Sequence, residues 1–465
     1  MLMRINTLYL PGFSHRLCGR RSRPAAEALT GRSAKLDGLA AVVARFIPAE
    51  LFAGAGRRDR IFTPWVTFCA FFGQVLQRRA SCRDAVRRVQ AWHLAAGGAA
   101  VDDSTSGYCQ ARQRLPVGVL RKAFARLADW CAGRTRPADR WQGRVVKVMD
   151  GCGLSMPDTV ANRKKYPYAG GQKPGCGFPT GQLVVLFSLA TGHLARFVVS
   201  SWKAHEAPLA RELVGWVQPG EVVLADRAFC GWGLLALFQR KDVAVVWRLH
   251  QARKRQTGQV VWPKPQGPGP WEPSLWKELP DELTVRIVRF RVEVPGFRTE
   301  EVTLVTTLLD ETQYPDAALA ELFRRRWQVE LCFRDLKTTL GLDVLRTPTP
   351  ALIEKEILLQ VIAYNLVRAL MLEAAAQHDV PPARLSFKGA VSTLRAFAHL
   401  FEPARPHVAR RYAELLLALA ADPVPDRPDR VEPRAVKRRP KSYQFLTRPR
   451  HKMVVAASRR CKKQR

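Results

Sequence analysis

The chain has 465 residues, 47% of them hydrophobic, which is enough for two to four domains with cores of their own. Its 75 Lys and Arg residues against 40 Asp and Glu give a formal net charge of +35, so a polyanion is the expected partner, although solubility or an Arg-rich coding bias would also raise the basic count. The ten cysteines form no C-x-x-C pair, and no apolar run reaches about 18 residues, which argues against a zinc site and a membrane span and favours a reduced cytoplasmic setting.

The N-terminal part has two textures. Residues 1–35 combine Arg and Pro without periodicity, and we expect a basic, partly disordered arm there. Residues 36–140 repeat apolar side chains at helical spacing, which predicts an all-α domain that binds DNA. The predicted helices cover Ala41–Phe52, Pro64–Arg79, Cys82–His93 and Val117–Ala132. Arg112 and Arg114 are candidates for the DNA contact, the alternative being the solvated face of a helical bundle.

Two aspartates close short apolar runs in residues 141–250, the first part of a predicted α/β domain. RVVKVMD ends at Asp150 and EVVLAD ends at Asp226, and turn-forming residues follow both. Carboxylates at the ends of parallel or mixed strands open into the crevice where such sheets bind ligands. Either aspartate alone is equally typical of a turn or a helix N-cap.

The same segment predicts a mixed sheet with helices on its faces. Apolar runs over Gln182–Ala190 and His193–Ser200 meet at Thr191-Gly192, which indicates a hairpin. Helices and strands then alternate as far as Leu249. Residues 251–310 contain prolines, glycines and the alternating run Leu283–Val294, which predicts a β-rich insertion that interrupts the sheet domain.

A helix predicted over Asp316–Leu340 opens the second part of the sheet domain, residues 311–346. Its polar stripe spans about 80° of arc and consists of Phe323, Arg326, Glu330, Arg334 and Lys337. The apolar stripe beside it faces a core and consists of Leu322, Val329, Phe333, Leu336 and Leu340. Glu330 then lies at the edge of a buried face between cations, unless the stripe is only a salt-bridged solvent face. With the two aspartates it completes an all-oxygen site suited to Mg²⁺ or Mn²⁺.

The C-terminal part begins with a helical region over residues 347–422, in which Ile353–Ala376 is apolar enough to be buried. From residue 423 to 465 prolines and basic residues dominate, as in VKRRPKSY and RRCKKQR. Such a tail is too charged to fold alone. We expect it to contact nucleic acid, with solubility as the alternative role.

The order of these features resembles the DDE transposases of the bacterial insertion sequence 4 family. Their signature is Y-x2-R-x3-E-x6-K, and Arg326, Glu330 and Lys337 match it at the right spacing, whereas Phe323 stands where the signature has Tyr. DGCGLSMPDT and ADRAFCGW also resemble the surroundings of the family's two aspartates. The resemblance runs from about residue 40 to the C-terminus.

The resemblance implies a ribonuclease H-like catalytic fold in which Asp150, Asp226 and Glu330 hold two divalent ions, Mg²⁺ or Mn²⁺. It implies cleavage of the ends of an insertion sequence and joining of the 3′-OH ends to target DNA. Arg326 and Lys337 resemble the residues that hold phosphates near the cut. Trp327 is a candidate for stacking a displaced base, and Trp262, Trp271 and Trp276 are weaker candidates for the same task.

The family further implies a homodimer on paired DNA ends in a cytoplasmic, nucleoid-associated setting, without a membrane or a small-molecule cofactor. Two other functions stay open from the sequence. One is a ribonuclease H-like nuclease that cuts without strand transfer. The other is an inactive, DNA-binding remnant of a transposase.

Overall fold

The computed structural model describes most of the chain between residues 38 and 425. The described ranges are 38–53, 61–77, 80–173, 175–203, 206–249, 257–292, 300–400, 408–425, 445–449 and 452. The expected N-terminal arm over 1–35 and the two basic motifs of the tail lie outside the described residues. The expectations for those segments therefore remain predictions.

A single eight-stranded mixed sheet forms the centre of the molecule. The strands are β1 Val146–Ser155, β2 Thr180–Ser188, β3 Leu194–Ser201, β4 Val222–Ala225, β5 Ala244–Arg248, β6 Gly258–Pro263, β7 Glu282–Val292 and β8 Glu300–Thr306. Their order is β3-β2-β1-β4-β5-β8-β7-β6. β4 pairs in parallel with both β1 and β5, and the other neighbours are antiparallel. The multidomain α/β prediction with a mixed sheet is confirmed at this level.

The hairpin predicted at Thr191-Gly192 joins β2 and β3, which pair antiparallel from Gly181↔Ser201 to Phe187↔Leu194. Gly192 has φ +68°, a left-handed conformation that favours glycine at this turn. The buried His193 ring shares a hydrogen bond of 2.5 Å with the Thr191 hydroxyl, which holds the turn from within. The sequence therefore placed both the strands and the turn correctly.

Three strands within residues 251–310, the region predicted as a β-rich insertion, belong to the central sheet. β8 pairs with β5 from Val246↔Thr306 to Arg248↔Leu304, so β6, β7 and β8 extend the same sheet. The physical reason is that β5 offers an unpaired edge, which pairing with β8 satisfies. Local alternation predicts a strand but does not predict its neighbour.

Helices cover both faces of the sheet. Outside the sheet they are α1 Pro64–Leu76, α2 Cys82–Ala95, α3 Ser106–Arg114, α4 Val117–Ala132, α5 Val160–Lys165, α6 Glu206–Val214, α7 Trp232–Arg240, α8 Pro273–Glu278, α9 Asp316–Arg325, α10 Gln328–Arg334, α11 Pro350–Gln377, α12 Phe387–Phe397 and α13 Val408–Ala420. Alternate strand residues enter two separate cores: Val148 packs with the N- and C-terminal helices, whereas Met149 packs with α6 and α7. Among the described residues, those before the sheet and those after Pro350 are mainly helical.

The long helix α11 joins the N-terminal helices to the sheet. By length and composition it could cross a membrane, but 89% of its most apolar stretch is buried inside the protein, which describes a core helix. Its Lys355 ammonium donates to the Arg112 carbonyl at 3.1 Å. Its fully buried Asn365 amide accepts from the Leu194 N–H and donates to the Leu194 carbonyl, both at 2.8 Å. Asn365 thus pairs with both backbone hydrogen-bonding groups of Leu194 at the start of β3, as a neighbouring strand would.

We expect Asn365→Leu to lower the free energy of unfolding by about 1–3 kcal/mol for each of the two Leu194 groups left unpaired. Chemical denaturation followed by tryptophan fluorescence would measure the loss. Gln360→Leu in the same helix is the matched control, because its buried amide oxygen already has no hydrogen-bond partner. Equal stability of the two variants would contradict a strand-like role for Asn365.

Candidate active site

The parallel pairing of β1 with β4 places two aspartates side by side. The β1–β4 register runs from Val146↔Val222 to Met149↔Ala225. The next residues along the chain are Asp150, still on β1, and Asp226, directly after β4. The prediction that β1 ends at Asp150 is wrong, since the strand continues to Ser155 by pairing with β2. Asp150 nevertheless lies where β1 and β4 part, at the kind of crevice in which such sheets bind ligands.

Each aspartate is oriented by a neighbouring backbone amide. Oδ1 of Asp150 accepts from the Gly151 N–H at 2.8 Å, and Oδ1 of Asp226 accepts from the Arg227 N–H at 2.8 Å. Asp226 is also the N-cap of a 3₁₀ turn over Arg227–Phe229. It therefore both caps this turn, as the alternative interpretation expects, and lies beside Asp150.

The helix that bears Glu330 is not the single α-helix that the sequence predicts. α9 ends at Arg325, α10 begins at Gln328, and a π-helical turn follows over Asp335–Leu340. Around the break, backbone N–H groups bond three residues back rather than four, as from Glu330 to Trp327 at 3.1 Å. This tighter 3₁₀ pattern rotates the chain, so the polar stripe does not keep the even 100° spacing of an ideal helix.

The two predicted stripes have different outcomes. All five residues of the apolar stripe are buried, as expected. In the polar stripe Glu330 and Arg334 are exposed and Lys337 is half-buried, with its ammonium 5.2 Å from the centre of the Phe333 ring. Phe323 and Arg326, in contrast, are only 5% and 7% exposed.

Arg326 lies against the first aspartate. Its Nη1 is 3.7 Å from Oδ2 of Asp150, and its guanidinium lies 5.5 Å from the Phe323 ring and 5.7 Å from the Trp327 ring. The buried Nε of Arg326 has no hydrogen-bond partner. Phe323, a predicted DNA-contact residue, is thus buried with its ring beside the guanidinium.

The three acidic side chains act on one another electrostatically. Burial raises the pKa of Asp150 above its usual range, and the charges of Asp226 and Glu330 raise it further, while the Gly151 N–H and Arg326 oppose the shift. Among the described residues, no three His, Cys, Asp or Glu side chains come close enough to hold a metal ion. The charges of Asp226 and Glu330 thus affect Asp150, but the three carboxylates do not form a coordination shell.

The donor chemistry of these residues still fits a hard divalent cation. All three side chains offer carboxylate oxygens, which Mg²⁺ and Mn²⁺ prefer, and no thiol or imidazole joins them. The raised pKa of the buried Asp150 indicates negative charge that the protein compensates incompletely. A bound cation would supply that compensation.

Arg112, a predicted DNA contact, has a side chain that packs in the protein interior. Arg112 is 7% exposed, and its Nη2 donates to the sulfur atoms of Cys82 and Cys109 at 3.3 and 3.4 Å. Its guanidinium also lies 4.9 Å from the Tyr108 ring. Arg114 on the same helix is exposed and remains a candidate.

The four tryptophans predicted as candidates for base stacking differ in how far they are buried. Trp262 and Trp271 belong to the second core, and Trp276 packs against Trp232 with ring centres 5.3 Å apart. Trp327 is 49% exposed beside Arg326. Exposure thus favours Trp327 among the four, and packing accounts for the other three.

Sequence reasoning missed the buried Arg368 of α11, which is ion-paired with Asp335 just beyond α10 at 3.1 Å. The partners are 33 positions apart in the chain, and Asp335 is not one of the defining positions of the Arg326–Lys337 motif. Arg368 did not stand out, because the stretch Ile353–Ala376 also contains the charged residues Glu354, Lys355, Glu356 and Glu373.

Comparisons with known proteins are in line with this geometry. A family profile described as "Transposase DDE domain" matches residues 141–366. The transposase InsG for insertion sequence element IS4 of Escherichia coli (strain K12) is 26% identical over 418 residues, which is 86% of this chain and 90% of that protein. The putative transposase InsL for element IS186A of the same strain is 35% identical over 79 residues, 17% of this chain and 20% of its own length.

Among solved structures, the chain is similar to a piggyBac transposase in a synaptic complex with hairpin DNA, determined by cryo-EM. The TM-score is 0.40 with 12% sequence identity, and the match covers 87% of both chains.

We expect Asp150→Asn to raise the thermal midpoint at neutral pH in the presence of a chelator. Because the folded-state pKa of Asp150 is raised, its ionised form destabilises the fold. The gain should fade as the pH falls below 3.8, the ordinary pKa of this carboxyl, because the wild-type group then becomes protonated in the unfolded state as well as in the folded state. Thermal melts across this pH range would measure it.

Asp158→Asn is the control of opposite sign. Burial alone would raise the pKa of Asp158, but hydrogen bonds from Tyr168 and Arg163 lower it, so its ionised form stabilises the fold. This variant should therefore lose thermal stability at neutral pH. A stability gain in both variants would refute the electrostatic interpretation of Asp150.

Proposed function

We propose that this chain, which belongs to the DDE transposases of the insertion sequence 4 family, cuts the ends of its element with a site built from Asp150, Asp226 and Glu330. As a DDE-type transposase it acts on DNA and catalyses DNA transposition. The observation that carries the site assignment is the end of the β1–β4 ladder, where the two aspartates are neighbours. The negative charge of Glu330 also raises the pKa of Asp150.

Enzymes of this family depend on divalent metal. We assign two ions, Mg²⁺ or Mn²⁺, to the three carboxylates; when bound they supply Lewis-acid activation and charge neutralisation for phosphoryl transfer. Asp150 and Asp226 are fixed by strands and by their amide hydrogen bonds. Glu330 is exposed on a short helix, so it is the member of the site that can adjust.

The proposed reaction has two phosphoryl transfers. In the first, a water oxygen attacks a phosphodiester at the element's end, the bond to the 3′-oxygen breaks, and a 3′-OH and a 5′-phosphate result. In the second, that 3′-OH attacks a phosphodiester of target DNA, and the target's own 3′-oxygen leaves. Each transfer exchanges one bond to phosphorus for another, so the protein's main task is positioning and electrostatic stabilisation.

Basic and aromatic residues beside the carboxylates suit the DNA end. Arg326 offers a planar guanidinium whose buried Nε has no hydrogen-bond partner. A phosphate of the DNA end could replace Asp150, now 3.7 Å away, as the ion-pair partner of this guanidinium. Lys337 and the exposed Arg334 extend the basic surface, and the exposed Trp327 offers a face for a displaced base. Phe323 acts by supporting Arg326.

The wider layout is part of the proposal. We assign residues 141–250 and 311–346 to a ribonuclease H-like catalytic domain. Its support is the strand order, in which the antiparallel strands β3, β2 and β1 are followed by β4 and β5, which run parallel to β1. Residues 36–140, with Arg114, and the basic segments at both ends of the chain contribute DNA contacts. We further propose a homodimer on paired element ends in the cytoplasm, associated with the nucleoid.

A fluorescent duplex carrying the terminal repeats, incubated with Mg²⁺ and a target plasmid, tests the site. Asp150→Asn, Asp226→Asn and Glu330→Gln should each abolish cleavage, because each removes a charged metal ligand, while DNA binding by gel shift should persist. Glu221→Gln is the matched control: this carboxylate lies just before β4 at its opposite end and pairs with Lys147 at 2.7 Å. It should cleave normally.

The same assay distinguishes the alternatives. Joined products support transposition by this copy, cleavage without joining identifies a nuclease, and a gel shift without cleavage identifies a DNA-binding remnant. Full activity in any of the three carboxylate variants would remove that residue from the site.

We expect Lys337→Ala to weaken binding of the terminal duplex and to reduce the slope of log affinity against log salt by about one, because one phosphate contact is lost. Binding titrations over a range of salt concentrations would measure the slope. Lys264→Ala is the matched control, since its ammonium also lies over an aromatic ring, 5.6 Å from Trp276, but at the far edge of the sheet. An unchanged slope in Lys337→Ala would argue against the phosphate contact.

A further inference from the structure

A buried polar cluster on α11 touches the segment that follows the Glu330 helix. Nη2 of Arg368 is 3.1 Å from Oδ2 of Asp335, and the two side chains are only 12% and 9% exposed. Nε of Arg368 donates to the Tyr364 hydroxyl at 3.1 Å. The Tyr364 hydroxyl in turn donates to the Gly192 carbonyl at 2.6 Å. We call Arg368, Asp335, Tyr364 and Gly192 the α11 clamp.

The α11 clamp joins three separate elements: the long helix, the π-helical turn that begins at Asp335, and the β2–β3 turn at Gly192. The fit at that turn is close, because a Cβ on Gly192 would lie 3.3 Å from Cζ of Arg368. Glycine at position 192 is therefore favoured by its φ of +68° and by the close approach of the guanidinium.

The Glu330 helix needs such external support. α10 has only 7 residues, with a 3₁₀ break before it and a π-helical turn after it. A helix this short is not stable by itself, so its direction is set by what its ends contact. One contact is Phe333 against Phe187, with ring centres 5.4 Å apart. Others are Asp335 in the α11 clamp and the Cys332 sulfur, which lies 3.9 Å from Nη2 of Arg368 and 3.9 Å from the Gly192 carbonyl oxygen.

We propose that Arg368 and Asp335 are positioning residues for transposition, because their buried ion pair fixes the direction of α10 and so the places of Glu330 and Lys337 relative to the two aspartates. This inference rests on the proposed site. Neither residue touches DNA or metal in the proposal. Their effect passes through α10, much as outer residues orient metal ligands in other sites.

A merely stabilising ion pair makes a different prediction, which a double variant can test. Replacing both partners of a buried ion pair by apolar residues is often neutral for stability, whereas removing one partner leaves a buried charge. Arg368→Met combined with Asp335→Leu should therefore recover most of the thermal stability that either single change loses. If the pair acts by positioning, the double variant stays defective in the site despite its recovered stability.

Three measurements report whether the double variant still holds α10 and its metal ligand in place. Hydrogen exchange of the amides in 328–340, without metal or DNA, should be faster in the double variant than in the wild type. The Mn²⁺-induced rise in thermal midpoint should need more Mn²⁺, and the Mg²⁺ concentration for half-maximal cleavage should increase by about 10- to 100-fold. Arg368→Lys keeps the charge but loses the planar fork, so it should fold and show a partial defect.

Glu356→Gln supplies the matched control on the same helix. Glu356 is also buried and accepts hydrogen bonds from the N–H groups of Arg346 and Thr347 at 3.0–3.1 Å, but it does not contact α10 or the π-helical turn. It should lose stability without a specific change in exchange over 328–340 or in the Mg²⁺ requirement.

Wild-type exchange and a wild-type Mg²⁺ requirement in the double variant would overturn the proposal, and so would equal defects in Glu356→Gln. If the wild-type enzyme shows no metal-dependent cleavage, the proposed function fails. The exchange and Mn²⁺ measurements then still decide whether the α11 clamp holds α10.

Discussion

The parallel ladder between β1 and β4 is the constraint on which the candidate site depends. It brings together residues that are 76 positions apart in the chain, and the last paired residues, Met149 and Ala225, are each followed by an aspartate. Buried neighbours on both faces of the sheet fix this register, since a slip by one residue would move every side chain to the wrong core. Asp150 on β1 and Asp226 directly after β4 are therefore positioned by the α/β core.

Bringing acids together has an electrostatic cost that the surrounding basic residues partly offset. Burial and two neighbouring carboxylates oppose ionisation of Asp150, and Arg326 provides only partial compensation from 3.7 Å. Added positive charge would offset the negative charge that remains at Asp150. The excess of basic residues over the whole chain gives a positive field that attracts polyanions at longer range.

Features with a local cause could be predicted from the sequence, and features set by distant partners could not. The strands, the Thr191-Gly192 hairpin and the apolar stripe follow from periodicity and turn chemistry. The helix break at Arg326 could not be read, because nothing in the sequence there is a Pro or Gly. The burial of Arg112 depends on Cys82, which lies on another helix, and the union of β8 with β5 depends on an edge that only the assembled sheet has.

The two ends of the sheet show how its growth is stopped. A wide sheet with open edges invites pairing with further strands, and such pairing leads to aggregation. At one edge the Asn365 amide occupies the hydrogen bonds of Leu194, and at the other β6 ends in Pro263, which has no N–H to donate. The same α11 helix that bears Arg368 thus also satisfies two backbone groups at this edge that would otherwise be open to pairing with a further strand.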